Sequence, residues 1–311
     1  MKNFYVLKYE SQNLGDDIQS LAVMDILDEM NIYYNFVNRD LINGNFFDPK
    51  KENYLILNGW FTNGNGVEEY YLYNKDKSID VQIPIRGNFK PIIYSFHISE
   101  WGPFNNREVH PNFLNNESIN FYKLSEPVGC RDTHTYDLMQ KMKVSSFISG
   151  CITLTINKNK YKKVNFQNNN IVFVDVEEQT KFKLLNTIQS IYYDNRVKTL
   201  THSVSSESSY LINRFELAKN HLTLFANSNL VITSRLHVLL PCLALGTPVL
   251  FIIKDEDLNN SRIKDYLVHC NYITTSQIDS FKMSEKIINK FDQQNSINIK
   301  NKFIEIIKSK L

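Results

Sequence analysis

Short apolar runs rich in β-branched and aromatic residues alternate with helical patterns along most of the chain. "NFYVLK" predicts a strand, and "GDDIQSLAVMDILDEM" predicts a helix whose first turn carries acidic residues, where the helix dipole favours them. Strands are expected at "IYYNFV", "NYLILNG", "KPIIYSFHI", "INFYKL" and "EPVGCRD", then a helix from Thr133 to about Met142 and a strand near "SSFISG". The polar, basic stretch 156–170, "INKNKYKKVNFQNNN", has no sustained period and reads as a linker. The alternation then restarts: "IVFVDV" as strand, "TKFKLLNTIQSIYYD" as helix, "VKTLTHSV" as strand, "SSYLINRFELAKNHLTLFA" as helix and "NLVITS" as strand. The least polar segment, "ITSRLHVLLPCLALGTPVLFII", predicts a helix stopped at Gly246 and a strand from Pro248, and two helices near 282–292 and 298–310 close the chain. Two blocks of alternating strand and helix imply an α/β protein with two parallel sheets facing a central cleft, divided as 1–157 and 170–311.

Composition narrows the class. The 311 residues are 42% apolar with a formal net charge of +2, so the chain is globular and carries no broad nucleic-acid footprint. The start "MKNFYVLKYE" lacks the apolar core of a secretory signal. Leu236 to Ile253 approaches the length of a membrane span, but His237, Pro241, Gly246, Thr247 and Pro248 interrupt it, which favours a buried helix-turn-strand. Cys130, Cys151, Cys242 and Cys270 are scattered among apolar neighbours and read as reduced core residues of a cytoplasmic protein. His97 and His110 lack ligand spacing and no H-E-x-x-H or C-x-x-C occurs, so no metal is expected. "GNG" at 64–66 lacks the spacing of a nicotinamide fingerprint.

The chemistry concentrates where "NLVITS" meets the apolar helix. Ser234 is placed to cap that helix, which puts Arg235 and His237 in its first turn. Unpaired backbone amides and the dipole attract anions there, and Arg adds a planar fork suited to phosphate or carboxylate. Pro241 cannot donate to the carbonyl of His237, which loosens the backbone at that point. The plainer alternative pairs Arg235 with a nearby carboxylate and buries His237 as a core histidine.

Here the sequence resembles a known family. "VITSRLHVLLPCLALGTPVLFI" is similar to the signature of polysaccharide pyruvyl transferases, an S-R-L-H helix start followed by an apolar helix and a G-x-P-V strand. "SQNLGDDIQSLA" resembles the family's N-x-G-D element, and "PVGCRDTHTYDLM" its R-D element. "NGWF", "YSFHIS", "SGCITLTI" and "LTHSV" resemble elements of one bacterial branch, although "SGCITL" stands where many members carry a D-P-x-F-like element. The resemblance implies two Rossmann-like domains in a glycosyltransferase-B-like arrangement, with an acceptor-side N-terminal domain, a donor-side C-terminal domain and last helices returning across the cleft. It implies phosphoenolpyruvate as donor and no separate cofactor. A sugar hydroxyl pair on a glycan or lipid-linked saccharide would be the acceptor, and a cyclic pyruvate ketal and phosphate the products. A lipid-linked acceptor would bring the enzyme to the inner membrane face.

On this reading Arg235, Ser234, Arg131 and His202 contact the donor, and His237 is the general acid that protonates the enol carbon. Arg131 has an ion pair with Asp132 as its alternative, and His202 a place on the surface. Asn13, Gly15 and Asp16 form the first strand-to-helix loop on the acceptor side. Gly15 would permit a tight turn, and Asp16 would bind or deprotonate a sugar hydroxyl, or only cap its helix. Asp17 reads as a solvated carboxylate. Asn58, Trp60 and His97, each at a strand end, complete the acceptor contacts, with ordinary packing as the alternative for Trp60. The carboxylates of "DVEEQ", 175–179, read as a charged loop. Two other functions suit the same architecture: a nucleotide-sugar glycosyltransferase, and a glycan-binding module without turnover.

Overall fold

The computed structural model describes residues 2–9, 11–39, 47–61, 87–101, 108–109, 113–162, 169–204 and 213–311. Two compact units emerge, the first formed by 1–10, 23–152 and 299–311, the second by 11–22 and 153–298. Residues 11–22, the head of the first helix, therefore belong with the second unit. Residues 64–66 and His110, for which no nicotinamide or metal role was expected, lie outside the described residues.

The elements run β1 (Lys2–Lys8), α1 (Leu14–Glu29), β2 (Tyr34–Asn38), β3 (Glu52–Phe61), β4 (Lys90–Ile98), β5 (Glu100–Trp101), β6 (Glu108–Val109), α2 (Asn116–Lys123), β7 (Val128–Cys130), α3 (Thr133–Lys141) and β8 (Ser146–Ile148). After the short α4 (Lys158–Tyr161) come β9 (Asn170–Val174), α5 (Glu178–Ile188), β10 (Arg196–Leu200), α6 (Arg214–Ala226), β11 (Leu230–Thr233), α7 (Leu236–Leu245), β12 (Val249–Ile253), β13 (Asn271–Thr274) and α8 (Gln293–Lys308). The first unit holds a six-stranded sheet ordered β2-β1-β3-β4-β7-β8, and the second a five-stranded sheet ordered β10-β9-β11-β12-β13. Every pairing within these two sheets is parallel. The α/β class expected from the alternation is the class found.

Why these segments fold so is clearest in the second unit. All residues of β9, β11 and β12 are buried, as parallel strands covered on both faces must be. All ten residues of α7 are buried as well, each large aliphatic among them worth roughly 1.5–3 kcal/mol of burial. The helix stops at Gly246, whose φ of 69° lies in the left-handed region that glycine enters without penalty. Its amide donates back to Cys242 and Leu243. All four cysteines are buried thiols in no disulfide. Among the described residues no helix is long and apolar enough to cross a membrane.

Three expectations need correction. "INFYKL" is not a strand: the side chain of Asn115 accepts from the Ser118 amide at 2.8 Å and starts α2, which buries Ser118, Phe121 and Tyr122 on one face. No helix forms over 282–292. There Asn289 accepts from the Val249 amide and donates to the Thr247 carbonyl, while Asn271 donates to the Ile288 carbonyl, and these bonds hold the segment irregular. The final helix consequently begins at Gln293 rather than 298.

Candidate functional site

Three strands of the second sheet deliver the site at their carboxyl ends, where ligands of parallel α/β sheets bind. Asp175 directly follows β9, Thr201–His202–Ser203 follow β10 and Ser234–Arg235 follow β11. The head of α1 closes against them: Leu14 donates its amide to the His202 carbonyl at 2.9 Å, and Val204 donates to the Gln12 carbonyl at 2.8 Å. Asn13 and Ser203 form an isolated antiparallel bridge. The arrangement thus gathers Asn13, Gly15, Asp16, His202, Ser234, Arg235 and His237 in one unit.

Arg235, not Ser234, occupies the cap position of α7, in extended conformation and with no capping bond from its side chain. The Thr233 hydroxyl oxygen accepts the Arg235 amide at 3.0 Å and itself donates to the Val174 carbonyl, which delays the helix by one residue. Ser234 instead donates its hydroxyl to the Asp175 carbonyl at 2.9 Å. The guanidinium is gripped from two sides: Nε donates to Asp175 Oδ2 at 2.9 Å and Nη2 to Ser203 Oγ at 3.1 Å. Its side chain nevertheless stays 45% exposed. A fixed, solvent-facing guanidinium at a helix N-terminus is a ready anion contact.

His237 is buried, and Gly15 explains how. A Cβ added at Gly15 would stand 2.4 Å from the His237 Cβ and 2.7 Å from its Nδ1, so the first turn of α1 lies directly against this ring. Gly15 is needed for close approach, not for the tight turn expected from sequence: it is helical, its amide donating to Asn13 Oδ1 at 3.0 Å. Asp16 does not cap the helix. It is buried in the first turn and accepts from Ser11 Oγ at 2.6 Å and Gln19 Nε2 at 3.1 Å. Asp17, expected in solvent, is buried and bonded to Arg214 Nη2 at 2.7 Å; burial lifts its carboxyl to about 6 despite that partner.

His202 is not on the surface. It is 1% exposed, with its Nδ1 3.4 Å from that of His221. Burial first, then His221 and Arg235, lower it to about 3 against the opposing pull of Asp175. A ring neutral at physiological pH can hydrogen-bond a ligand but brings no positive charge to it. Asp175 went unrecognised in the sequence among the carboxylates after β9, and Ser203, Arg214 and His221 were likewise unmarked. The one available signal was a carboxylate directly at a central strand's carboxyl end.

Arg131, His97, Asn58 and Trp60 belong to the first unit. Arg131 is buried, its Nε 3.6 Å from Asp132 Oδ2, so the ion pair weighed as its alternative is present. Asp132 also caps α3 by accepting from the Thr135 amide at 2.9 Å, and its Oδ2 lies 2.5 Å from His97 Nδ1. Burial alone would raise this carboxyl, but His97 and Arg131 hold it below the usual carboxylate range. Asn58 is buried too, its carbonyl accepting from Tyr9 Oη at 3.0 Å, and Trp60 pairs in register with His97.

Fold and site together define an α/β protein of two parallel-sheet units with an exposed arginine at a strand-to-helix turn. The family model for polysaccharide pyruvyl transferases matches residues 13–255, from the head of α1 to just past β12, and the chain belongs to that family. It is therefore an enzyme of the polysaccharide pyruvyl transferase type, modifying polysaccharide. No curated protein matches the chain. Solved structures share the fold. An uncharacterised protein from Klebsiella pneumoniae subsp. pneumoniae NTUH-K2044 is 18% identical with a TM-score of 0.52, over 88% of this chain and 93% of that one. A UDP-N-acetylglucosamine 2-epimerase is 12% identical with a TM-score of 0.51, over 98% and 95%. MnaA of S. aureus, in a co-structure with UDP, is 11% identical with a TM-score of 0.51, over 99% and 97%.

Proposed function

We propose that this enzyme transfers the pyruvyl group of phosphoenolpyruvate to two hydroxyls of one sugar in a glycan or lipid-linked saccharide. The observation that carries the proposal is Arg235: bonded at two nitrogens, yet 45% exposed at the start of α7. Phosphoenolpyruvate brings a carboxylate and a phosphate, and both suit a guanidinium beside helix N-terminal amides.

The proposed reaction needs a proton on the methylene carbon, which leaves an oxocarbenium-like centre at the carbon bearing the phosphate ester. One hydroxyl adds there, phosphate departs, and the second hydroxyl closes the ring; the two hydroxyl protons leave to base and phosphate. His237 is assigned the first proton transfer, because it sits two residues beyond Arg235 and Gly15 packs against its ring. His202, lowered to about 3, is not protonated near neutrality and is left a neutral contact. Asp16 is assigned an acceptor-side role as an oriented carboxylate with Asn13. Asn58, Trp60 and His97 are assigned to sugar contacts in the first unit. The enzyme is expected to work in the cytoplasm, reaching the inner membrane face when its acceptor is lipid-linked.

The test is phosphate release from phosphoenolpyruvate with a glycan acceptor. It should require the acceptor and fall roughly 10²–10³-fold in Arg235→Ala, the usual scale for losing one such charge contact. Thermal stabilisation by nucleotide sugars alone, with no effect of phosphoenolpyruvate, would overturn the assignment in favour of glycosyl transfer.

A further inference from the structure

We infer that Asp175 is the positioning residue of the donor site, holding Arg235 in its anion-receiving orientation; this rests on the donor reading above. Asp175 takes four hydrogen bonds from two different loops. Its carboxylate accepts from Thr201 Oγ1 at 2.6 Å, the His202 amide at 3.0 Å and Arg235 Nε at 2.9 Å, and its carbonyl accepts from Ser234 Oγ at 2.9 Å. One residue thereby ties together the carboxyl ends of β9, β10 and β11.

The same residue also sets the second support of the guanidinium. Thr201 Oγ1, while donating to Asp175, accepts the Ser203 amide at 3.0 Å, and Ser203 Oγ receives Arg235 Nη2. Removing the carboxylate would thus release Arg235 at Nε directly and slacken the loop that receives Nη2. With Nε turned toward Asp175, the outer edge of the guanidinium is the part presented to an incoming anion.

The backbone supports the assignment. Asp175 has φ of 51°, a left-handed conformation that few residues other than Gly, Asn and Asp adopt readily. Among these, Asp supplies the carboxylate that an Arg and two further donors require, and those donors offset its burial to keep it ionised below its ordinary range. A solvated member of a charged loop would need neither the conformation nor the four bonds.

The experiment uses Asp175→Asn, which tolerates the same backbone while removing the charge, in wild-type and Arg235→Ala backgrounds. With acceptor saturating, Asp175→Asn should raise KM for phosphoenolpyruvate at least ~10-fold and change kcat less than ~3-fold. In the Arg235→Ala background the same substitution should change KM less than ~2-fold, because its effect passes through Arg235. In ¹⁵N spectra, the Arg235 Nε–H signal, assigned by its loss in Arg235→Lys, should be sharp in the wild type and broadened in Asp175→Asn. An unchanged KM, an equal effect in both backgrounds, or an Nε–H signal insensitive to Asp175 would overturn the inference. If the wild type turns over no phosphoenolpyruvate, the donor reading falls, and the Nε–H signal still decides whether Asp175 holds Arg235.

Discussion

Arg131 and Arg235 occupy comparable stretches, each following a strand and leading into a helix, with a histidine two or three residues on. Their fates differ. The Arg131 side chain is fully buried, whereas that of Arg235 is 45% exposed. The residue after Arg131 is Asp132, whose carboxylate caps α3, lies against His97 and flanks the guanidinium, so this turn is built inward. The residue after Arg235 is Leu236, which is buried as the first residue of α7, and the carboxylate that meets Arg235 comes instead from the neighbouring strand end at Asp175. A local carboxylate consumed by capping pulls its arginine into the core. A carboxylate supplied from the side orients the arginine and leaves its far edge outward.

The strongest way to break this contrast is Asp132→Ala. It removes the cap of α3 and the carboxylate beside a buried guanidinium, and should cost about 3–5 kcal/mol of stability in urea unfolding. Arg235→Ala should cost less than about 1 kcal/mol in the same measurement, because its ion pair is partly solvated. Equal losses would erase the distinction between a buried and a solvent-facing arginine.

Gly15→Ala sharpens the second-unit side of the comparison. The new methyl would meet the His237 Cβ, an atom that side-chain rotation cannot carry away, so about 3 kcal/mol of overpacking is expected. Melting temperature and phosphate release should fall together. Adding His237→Gly, which removes that Cβ, should restore part of the stability and none of the activity; no recovery of stability would show that the contact is not the cause.

A smaller effect than those of Asp132→Ala and Gly15→Ala concerns pH. His202 titrates near its ordinary 6.5 when unfolded and at about 3 when folded, so between these values the unfolded chain binds the proton and the folded one does not. Stability contributed by the neutral ring is complete above 6.5 and is lost as pH falls, by about 2 kcal/mol near pH 5. His221, Asp175 and Arg235 face or influence the same ring. Asp17, raised by burial to about 6, acts in the opposite sense between 3.8 and 6, but equally in both proteins compared. The wild type should therefore lose about 2 kcal/mol more than His202→Asn between pH 7 and pH 5. Parallel pH profiles would show that His202 titrates normally.

Much of the fold was legible because parallel strands and amphipathic helices impose periods that survive without tertiary context. The errors are informative. In "INFYKL", β-prone residues outweighed an asparagine cap four residues upstream. In 282–292, a helical pattern lost to hydrogen bonds from Asn271 and Asn289, the first of them eleven or more residues away in the chain. At the site, Arg235 and His237 stood out, because a cation and an imidazole at the mouth of an apolar helix are locally anomalous. Asp175 did not: only its place directly at a strand's carboxyl end separates it from Glu177 and Glu178.

The order of residues alone determined the two parallel α/β sheets, the buried helix-turn-strand after Arg235, and the family to which "SRLH" and "GTPV" belong. These depend on local period, capping and turn chemistry, all written within a few residues of one another. Tertiary structure alone decided that Arg131 turns inward, that Gly15 presses on His237, and that Asp175 is the residue holding Arg235. Each depends on which strand ends become neighbours, and that is set by the packing of the whole sheet.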